Sequence, residues 1–106
     1  MTEQNELPLA DNDNDELFRL RLFITGASPN STRAISNLTE ICEKYMKGNY
    51  ALEIIDVHQQ PTIALTEQII ALPMLIKKTP GIERRMIGDM SDTEKVLKGL
   101  GIYAGI

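Results

Sequence analysis

The sequence predicts one α/β domain with element order βαβαββα, and three observations carry that prediction. Phe18 to Thr25 (FRLRLFIT) alternates apolar and polar residues with period two, as a strand does. A helical stripe of Ala34, Ile35, Leu38, Ile41, Cys42 and Tyr45 follows it. A second strand-like run, Tyr50 to Val57 (YALEIIDV), follows that stripe, and Gly48 between them suits a helix stop. At 106 residues the chain is long enough for one domain and too short for two.

In the first run Phe18, Leu20, Leu22 and Ile24 face one way, Arg19, Arg21, Phe23 and Thr25 the other, and Gly26 ends the strand. Ser28-Pro29 opens the first helix: a serine hydroxyl can cap orphan N–H groups, and proline suits the first helical position because it needs no donor there. The helix is long enough for a right-handed crossover, so the two strands are expected to be parallel neighbours. Pro61 can start a second helix running to about Ile70, with Leu72-Pro73 forcing its end. Met74 to Ile76 reads as a short third strand, Thr79-Pro80-Gly81 as a turn, and Glu83 to Ile87 as the returning strand of a hairpin. Ser91-Asp92-Thr93-Glu94 matches a capping box, with Ser91 as cap, before the stripe Val96, Leu97, Leu100.

The net charge of −4 hides an uneven distribution. Residues 1–16 contain six carboxylates and no Lys or Arg, which leaves nine acidic and eleven basic residues in 17–106, a net charge of +2. The first sixteen residues are polar and self-repelling, so a disordered acidic tail is expected to precede a single domain over 17–106. That tail has neither the basic start nor the apolar run of a signal peptide. No stretch approaches the ~20 apolar residues of a membrane span. With one cysteine there is no internal disulfide, and a cytoplasmic location is expected.

The element order resembles the thioredoxin fold, in which a Cys-x-x-Cys stands where the first strand meets the first helix. Here the sequence at that place is Ser28-Pro29-Asn30-Ser31, and serine cannot carry out thiol–disulfide exchange. Cys42 lies on the apolar stripe and reads as a buried structural thiol. His58 stands alone, without the ligand cluster a metal needs, so neither a metal nor another cofactor is expected. There is no Walker pattern and no nucleophile elbow. The basic pairs Lys77-Lys78 and Arg84-Arg85, with only five aromatic residues in the chain, do not make a nucleic-acid face. They suit a charged strand edge, or an interface with acidic groups of a protein partner.

Residues 18 to about 102 resemble the KaiB family along nearly their whole length. The carrying stretches are Gly26 with Pro29-Asn30-Ser31 and Arg33-Ala34; Lys47-Gly48 with Tyr50-Ala51-Leu52; Ile55-Asp56-Val57; Pro61; and Pro73. Arg84-Arg85, Ile87-Gly88-Asp89, Ser91, Glu94-Lys95-Val96-Leu97 and Gly99-Leu100 follow in register. The resemblance implies a regulatory binding protein, not an enzyme, whose partner is a KaiC-type ATPase in circadian or stress-adaptation signalling. A KaiA-like protein is a further implied partner. The alternative is a thioredoxin-like sensor or adaptor module that docks on a histidine kinase without KaiC.

The same resemblance implies a partner surface carried by Arg33, Ala51, Glu53, Lys77, Arg84 and Arg85. Glu53 stands where many members have a lysine, so a basic residue is expected opposite it on the partner. Two folds are implied as well: a monomeric thioredoxin-like state, and a ground state βαββααβ that is a tetramer or dimer. The βαβ half is common to the two. Pro61, Pro73, Pro80, Gly99 and Gly101 mark the half that is rebuilt, and Pro73 is expected to be cis in the thioredoxin-like state. Gly99 and Gly101 are each expected to weaken the final helix by about 1 kcal/mol relative to Ala.

Overall fold

In the computed structural model the described residues are 17–102; residues 1–16 and 103–106 lie outside them, and with them the expected acidic tail. The elements are β1 (Phe18–Ile24), α1 (Pro29–Tyr45), β2 (Tyr50–Asp56), α2 (Pro61–Thr66), β3 (Met74–Thr79), β4 (Arg84–Ile87) and α3 (Thr93–Leu100). This is the predicted order, in the thioredoxin-like arrangement and not the βαββααβ one. The sheet order is β2-β1-β3-β4. β1 and β2 are parallel, with Phe18 opposite Tyr50 and Ile24 opposite Asp56. β3 is antiparallel to β1 and to β4.

The alternation in β1 splits the core into two layers. Leu20, Leu22 and Ile24 pack with Ala34, Leu38, Ile41 and Cys42 of α1 and with Val96, Leu97 and Leu100 of α3. Phe23 faces the other way and is fully buried with Ile55, Met74 and Ile76, under Ile63, Ile69 and Leu72. The larger cluster binds the two long helices to one face, while the short α2 covers only part of the other. Part of that second face is therefore left open.

Three local expectations are corrected. α2 ends at Thr66, not near Ile70, because Gln68 takes a left-handed conformation (φ 57°). The Gln68 N–H then donates to the Leu65 carbonyl and the Ile69 N–H to Ala64, closing the helix as a Schellman turn. Glycine usually marks such a stop, and here glutamine fills the position, so the sequence hides it. In α3 the cap is Asp92, whose side chain accepts from the Lys95 N–H at 3.2 Å. Ser91 instead donates its N–H to the Asp89 carboxylate at 3.1 Å. The third strand runs past Ile76 to Thr79, with Lys77 paired to Leu20 on one side and Arg84 on the other.

The two glycines near the C-terminus have different settings. Gly101 lies just after α3 with φ 82°, and the Gly101 and Ile102 N–H groups close the helix onto the Lys98 and Leu97 carbonyls. It therefore stops the helix and does not weaken its interior, as had been expected of it. Gly99 is inside α3, where a Cβ would press on the Met86 side chain, within 2.9 Å of Cε and 3.0 Å of Cγ. The Leu72–Pro73 bond is cis, as expected, and Thr79–Pro80 is cis as well.

Candidate functional site

At the open part of the second face, Arg19 and Arg21 of β1, Ala51 and Glu53 of β2, and Lys78 of β3 project to one side. Glu67, just past the end of α2, closes that side. Together they line a groove of about 440 Å³. Pleating puts these residues on one face, because paired residues on neighbouring strands share a side and Arg19 lies opposite Ala51 as Arg21 does Glu53.

Glu67 is the hub. Its side chain is 13% exposed and meets three cations: Arg21 Nη1 at 2.9 Å, Lys78 Nζ at 2.9 Å and Arg85 Nη2 at 3.6 Å. The hydrogen bond from Lys78 and the charges of Lys78, Arg21 and Arg85 hold its carboxyl below the ordinary range, against an opposing effect of burial. Three cations around one carboxylate leave positive charge over, and two further acids share it. Glu53 takes Arg21 Nε at 3.0 Å, and Glu83 takes Lys78 and Arg85 at 3.4 Å each.

Of the six residues expected on a partner surface, the structure brings Ala51 and Glu53 together in the groove. Arg85 lies on the same side of the sheet, tied through Glu67 and through the Gln68 carbonyl at 3.4 Å. Arg84 faces the other way, exposed, paired in the ladder with Lys77. Arg33 is on α1 and binds Asp89 at 3.2 Å, joining α1 to the loop before α3. Lys77 departs from the expectation of an exposed base: it is 6% exposed, on the face of Leu20, and its Nζ donates to the Pro80 carbonyl. A lysine stem packs along apolar surface while its ammonium finds polar atoms at the edge, which explains how it enters this layer.

Sequence reading missed Glu67 and Arg21. A signal for the first was present: Glu67 is the one Asp, Glu, Lys or Arg between Asp56 and Lys77, in a stretch that has no other carboxylate and no Lys or Arg to pair with it. A lone carboxylate there must find partners from elsewhere in the fold.

At the start of α1, the place of a dithiol in thioredoxins, the hydroxyls are occupied with backbone. Ser28 Oγ accepts from the Ser31 N–H at 3.2 Å and donates to Ser31 Oγ at 2.8 Å. The buried Ser31 Oγ accepts from the Thr25 N–H at 3.0 Å and donates to the Thr25 carbonyl. Cys42 is wholly buried far along the helix, and burial, followed by the Glu43 charge, pushes its thiol up to about 12. It is thus protonated at neutral pH, the unreactive form. The His58 N–H donates to Asp56 Oδ1 at 2.9 Å in a local turn. Among the described residues no three His, Cys, Asp or Glu side chains group as a metal site would need, and no helix is long and apolar enough to cross a membrane.

The KaiB domain family matches residues 21–102 of the chain. The circadian clock oscillator protein KaiB of Prochlorococcus marinus strain MIT 9312 is 51% identical over 83 residues, which cover 78% of this chain and 79% of that protein. The circadian clock protein KaiB3 of Synechocystis strain PCC 6803 is 52% identical over 83 residues, covering 78% and 81%. Among solved structures, the N-terminal domain of Synechococcus elongatus SasA superposes with a TM-score of 0.71 at 22% identity, covering 100% of this chain and 99% of that one. Oxidized mitochondrial thioredoxin 3 of Saccharomyces cerevisiae gives 0.63 at 20% identity, covering 78% of each. At those identities the two structures establish the thioredoxin-like fold alone.

Proposed function

The chain belongs to the KaiB family, and from that premise we propose that it is a non-enzymatic regulatory protein that binds a KaiC-type ATPase and modulates it. The observation that carries the reading is the extent of the likeness. The family match runs from within β1 to just past the end of α3, and relatives about half identical over 83 residues bear the names of circadian clock proteins. The chemistry of the candidate site agrees with a binding role. It offers cations, carboxylates and an open groove for recognition, while the Cys42 thiol lies outside it, buried against the other face of the sheet and protonated.

In this reading the partner surface comprises Ala51 and Glu53 at the groove, Arg84 and Arg85 on β4, and Arg33 on α1. Lys77 contributes through its neighbours and not by direct exposure. Interfacial charges of this kind set on-rate and partner choice more than affinity. Glu53 is already held by Arg21 at 3.0 Å, so a basic partner residue would have to share or displace that pair.

The test is affinity capture of the tagged full chain from its own cells, followed by size-exclusion chromatography with the recovered ATPase. Co-elution with a KaiC-type ATPase and a changed rate of ATP hydrolysis is the expected result. Recovery of a histidine kinase and no such ATPase would replace this reading with that of a kinase-docking adaptor.

A further inference from the structure

At Met86 the edge strand β4 touches α3 through sulfur. Met86 is paired with Leu75, which is buried in the larger core cluster, so its side chain points to the face that α1 and α3 cover. There it lies on Gly99: a Cβ at that position would overlap Met86 Sδ and stand 2.9 Å from Cε and 3.0 Å from Cγ. The thioether thus packs on bare helix backbone, a fit that the missing Cβ permits. Met86 also differs from the other described methionines in its access to solvent. Met46, Met74 and Met90 are 4%, 2% and 4% exposed, whereas Met86 is half-buried and lines an open groove of about 230 Å³ with Gly88, Asp92 and Lys95.

We propose that Met86 is an oxidant-sensitive modification site, converted by a peroxide to the sulfoxide, and that the sulfoxide loosens α3 from β4. In the reaction a sulfur lone pair attacks one peroxide oxygen. The S–O bond forms as the O–O bond breaks, the proton on the attacked oxygen passes to the departing hydroxide, and water leaves. Sulfur gives up two electrons and the peroxide takes them. No thiolate competes for the oxidant, because the chain's single cysteine, Cys42, is buried and protonated. The product changes the property on which this contact depends, since a flexible apolar side chain becomes polar and chiral at sulfur. In one epimer the new oxygen points at the interior of α3, where the backbone donors are already engaged. A polar group buried without a hydrogen bond is unfavourable, so the helix moves off the strand. Val96, Leu97 and Leu100 then lose part of their hold on the core, while β1 and α1 keep their own contacts. Reductases specific for each epimer reverse the step. The proposal does not depend on which partner the domain binds.

The experiment exposes the full chain to dilute hydrogen peroxide at neutral pH and locates the added oxygen by peptide mass spectrometry. Met86 should be oxidised at least about tenfold faster than Met46, Met74 and Met90, since access sets the order. Once Met86 is the sulfoxide, amide hydrogen exchange at Leu97 to Leu100 should speed up by about tenfold or more, while Leu22 of β1 and Leu38 of α1 keep their protection. Treatment with reductases for both epimers should restore the slow rates. Met86→Leu removes the sulfur and keeps an apolar side chain of similar volume, so peroxide should leave its α3 exchange unchanged. Met86→Gln, polar and of similar length, should show the fast exchange with no oxidant. Oxidation of Met86 no faster than that of the buried methionines would overturn the proposal, as would unchanged exchange in the fully oxidised protein. Equal acceleration at Leu22 and Leu38 would also overturn it, because that means a global loss of stability. So would a peroxide response that survives in Met86→Leu, since the sensitive group then lies elsewhere.

Discussion

Arg85 of β4 reaches across the sheet face to Glu67 beyond α2, Nη2 to Oε1 3.6 Å, and so fastens the edge strand to the end of the helix on that side. The same carboxylate holds Arg21 and Lys78, so one residue ties β1, β3 and β4 to the α2 terminus. Its loss leaves three cations facing one another. We expect Glu67→Gln to lower stability by about 1 kcal/mol, since partly exposed pairs each give less than that. For a domain this size that corresponds to a fall of roughly 4–8 °C in Tm. The sign of the pH dependence follows from the lowered carboxyl pKa. The contribution is complete above the ordinary value of 4.5 and is lost as pH falls through the lower folded value. Urea melts from pH 7 to pH 3 should show the wild-type advantage shrinking only below about 4.5. An advantage that grew in acid would contradict the assignment.

Arg84 and Arg85 are neighbours with different duties. Arg84 is exposed and makes no ion pair among the described residues, whereas Arg85 bridges Glu67 and Glu83. Arg84→Glu should therefore leave the thermal melt within about 0.5 kcal/mol of wild type, the usual range for a surface change. On the proposed function it should also weaken capture by a KaiC-type ATPase, mainly through a slower on-rate. Arg85→Glu should lower the melt as well. Surface plasmon resonance paired with circular dichroism separates the two. If Arg84→Glu binds with unchanged rate constants, Arg84 leaves the proposed surface.

How much was legible beforehand depends on how local the signal was. β1, α1 and β2 were readable because period two, a helical stripe and Ser28-Pro29 are patterns within a few residues of one another. The end of α2 was not, because it rests on Gln68 in a conformation that glycine normally announces. The burial of Lys77 and the hub role of Glu67 depend on which strands lie side by side. The register Leu20 to Lys77 and the contact of Lys78 with Glu67 are properties of the assembled sheet. Ala51 and Glu53 came together in the groove because parallel pairing with β1 places them so.

Cys42 gives a chemical test of the core. Its thiol is fully buried and pushed up to about 12, so it should resist a neutral aromatic disulfide reagent in the folded protein. Modification should track global unfolding, rising with urea along the circular dichroism transition. Rapid modification in buffer alone would mean that α1 opens far more readily than its packing indicates.

Gly99 and Met86 are in a packing contest. Gly99→Ala should gain about 1 kcal/mol of helix propensity in α3. The new Cβ, however, meets Met86 Cε and Cγ at 2.9 and 3.0 Å, and overpacking of this kind costs about 1–3 kcal/mol. The single variant should be destabilised by about 1 kcal/mol, and Met86→Ala in the same chain should recover part of that loss through a non-additive double-mutant cycle. Thermal melts of the four proteins decide it. Strict additivity would show that the methionine simply swings aside.

Gly101 bears on the proposed second packing of this sequence. With φ 82° it occupies the left-handed position that closes α3, where a side chain costs roughly 1–2 kcal/mol. Nothing within 4 Å would obstruct a Cβ, so the penalty in Gly101→Ala is conformational and not steric. Gly101→Ala should thus destabilise the thioredoxin-like arrangement specifically, by about that amount. If the chain also has the βαββααβ packing within a few kcal/mol, the variant shifts population toward it. A change of 1.4 kcal/mol is a tenfold change in the ratio of the two. Proton–nitrogen spectra of Lys95 to Ile102 should then gain a second set of signals, accompanied by a shift toward dimer or tetramer in size-exclusion chromatography. A variant that only melts at lower temperature, keeping one set of signals and the wild-type elution volume, would confine this sequence to a single fold. Gly99→Ala is the control for helix packing without the left-handed position: it destabilises α3 from its interior, and the two variants together separate loss of the cap from loss of the contact with Met86.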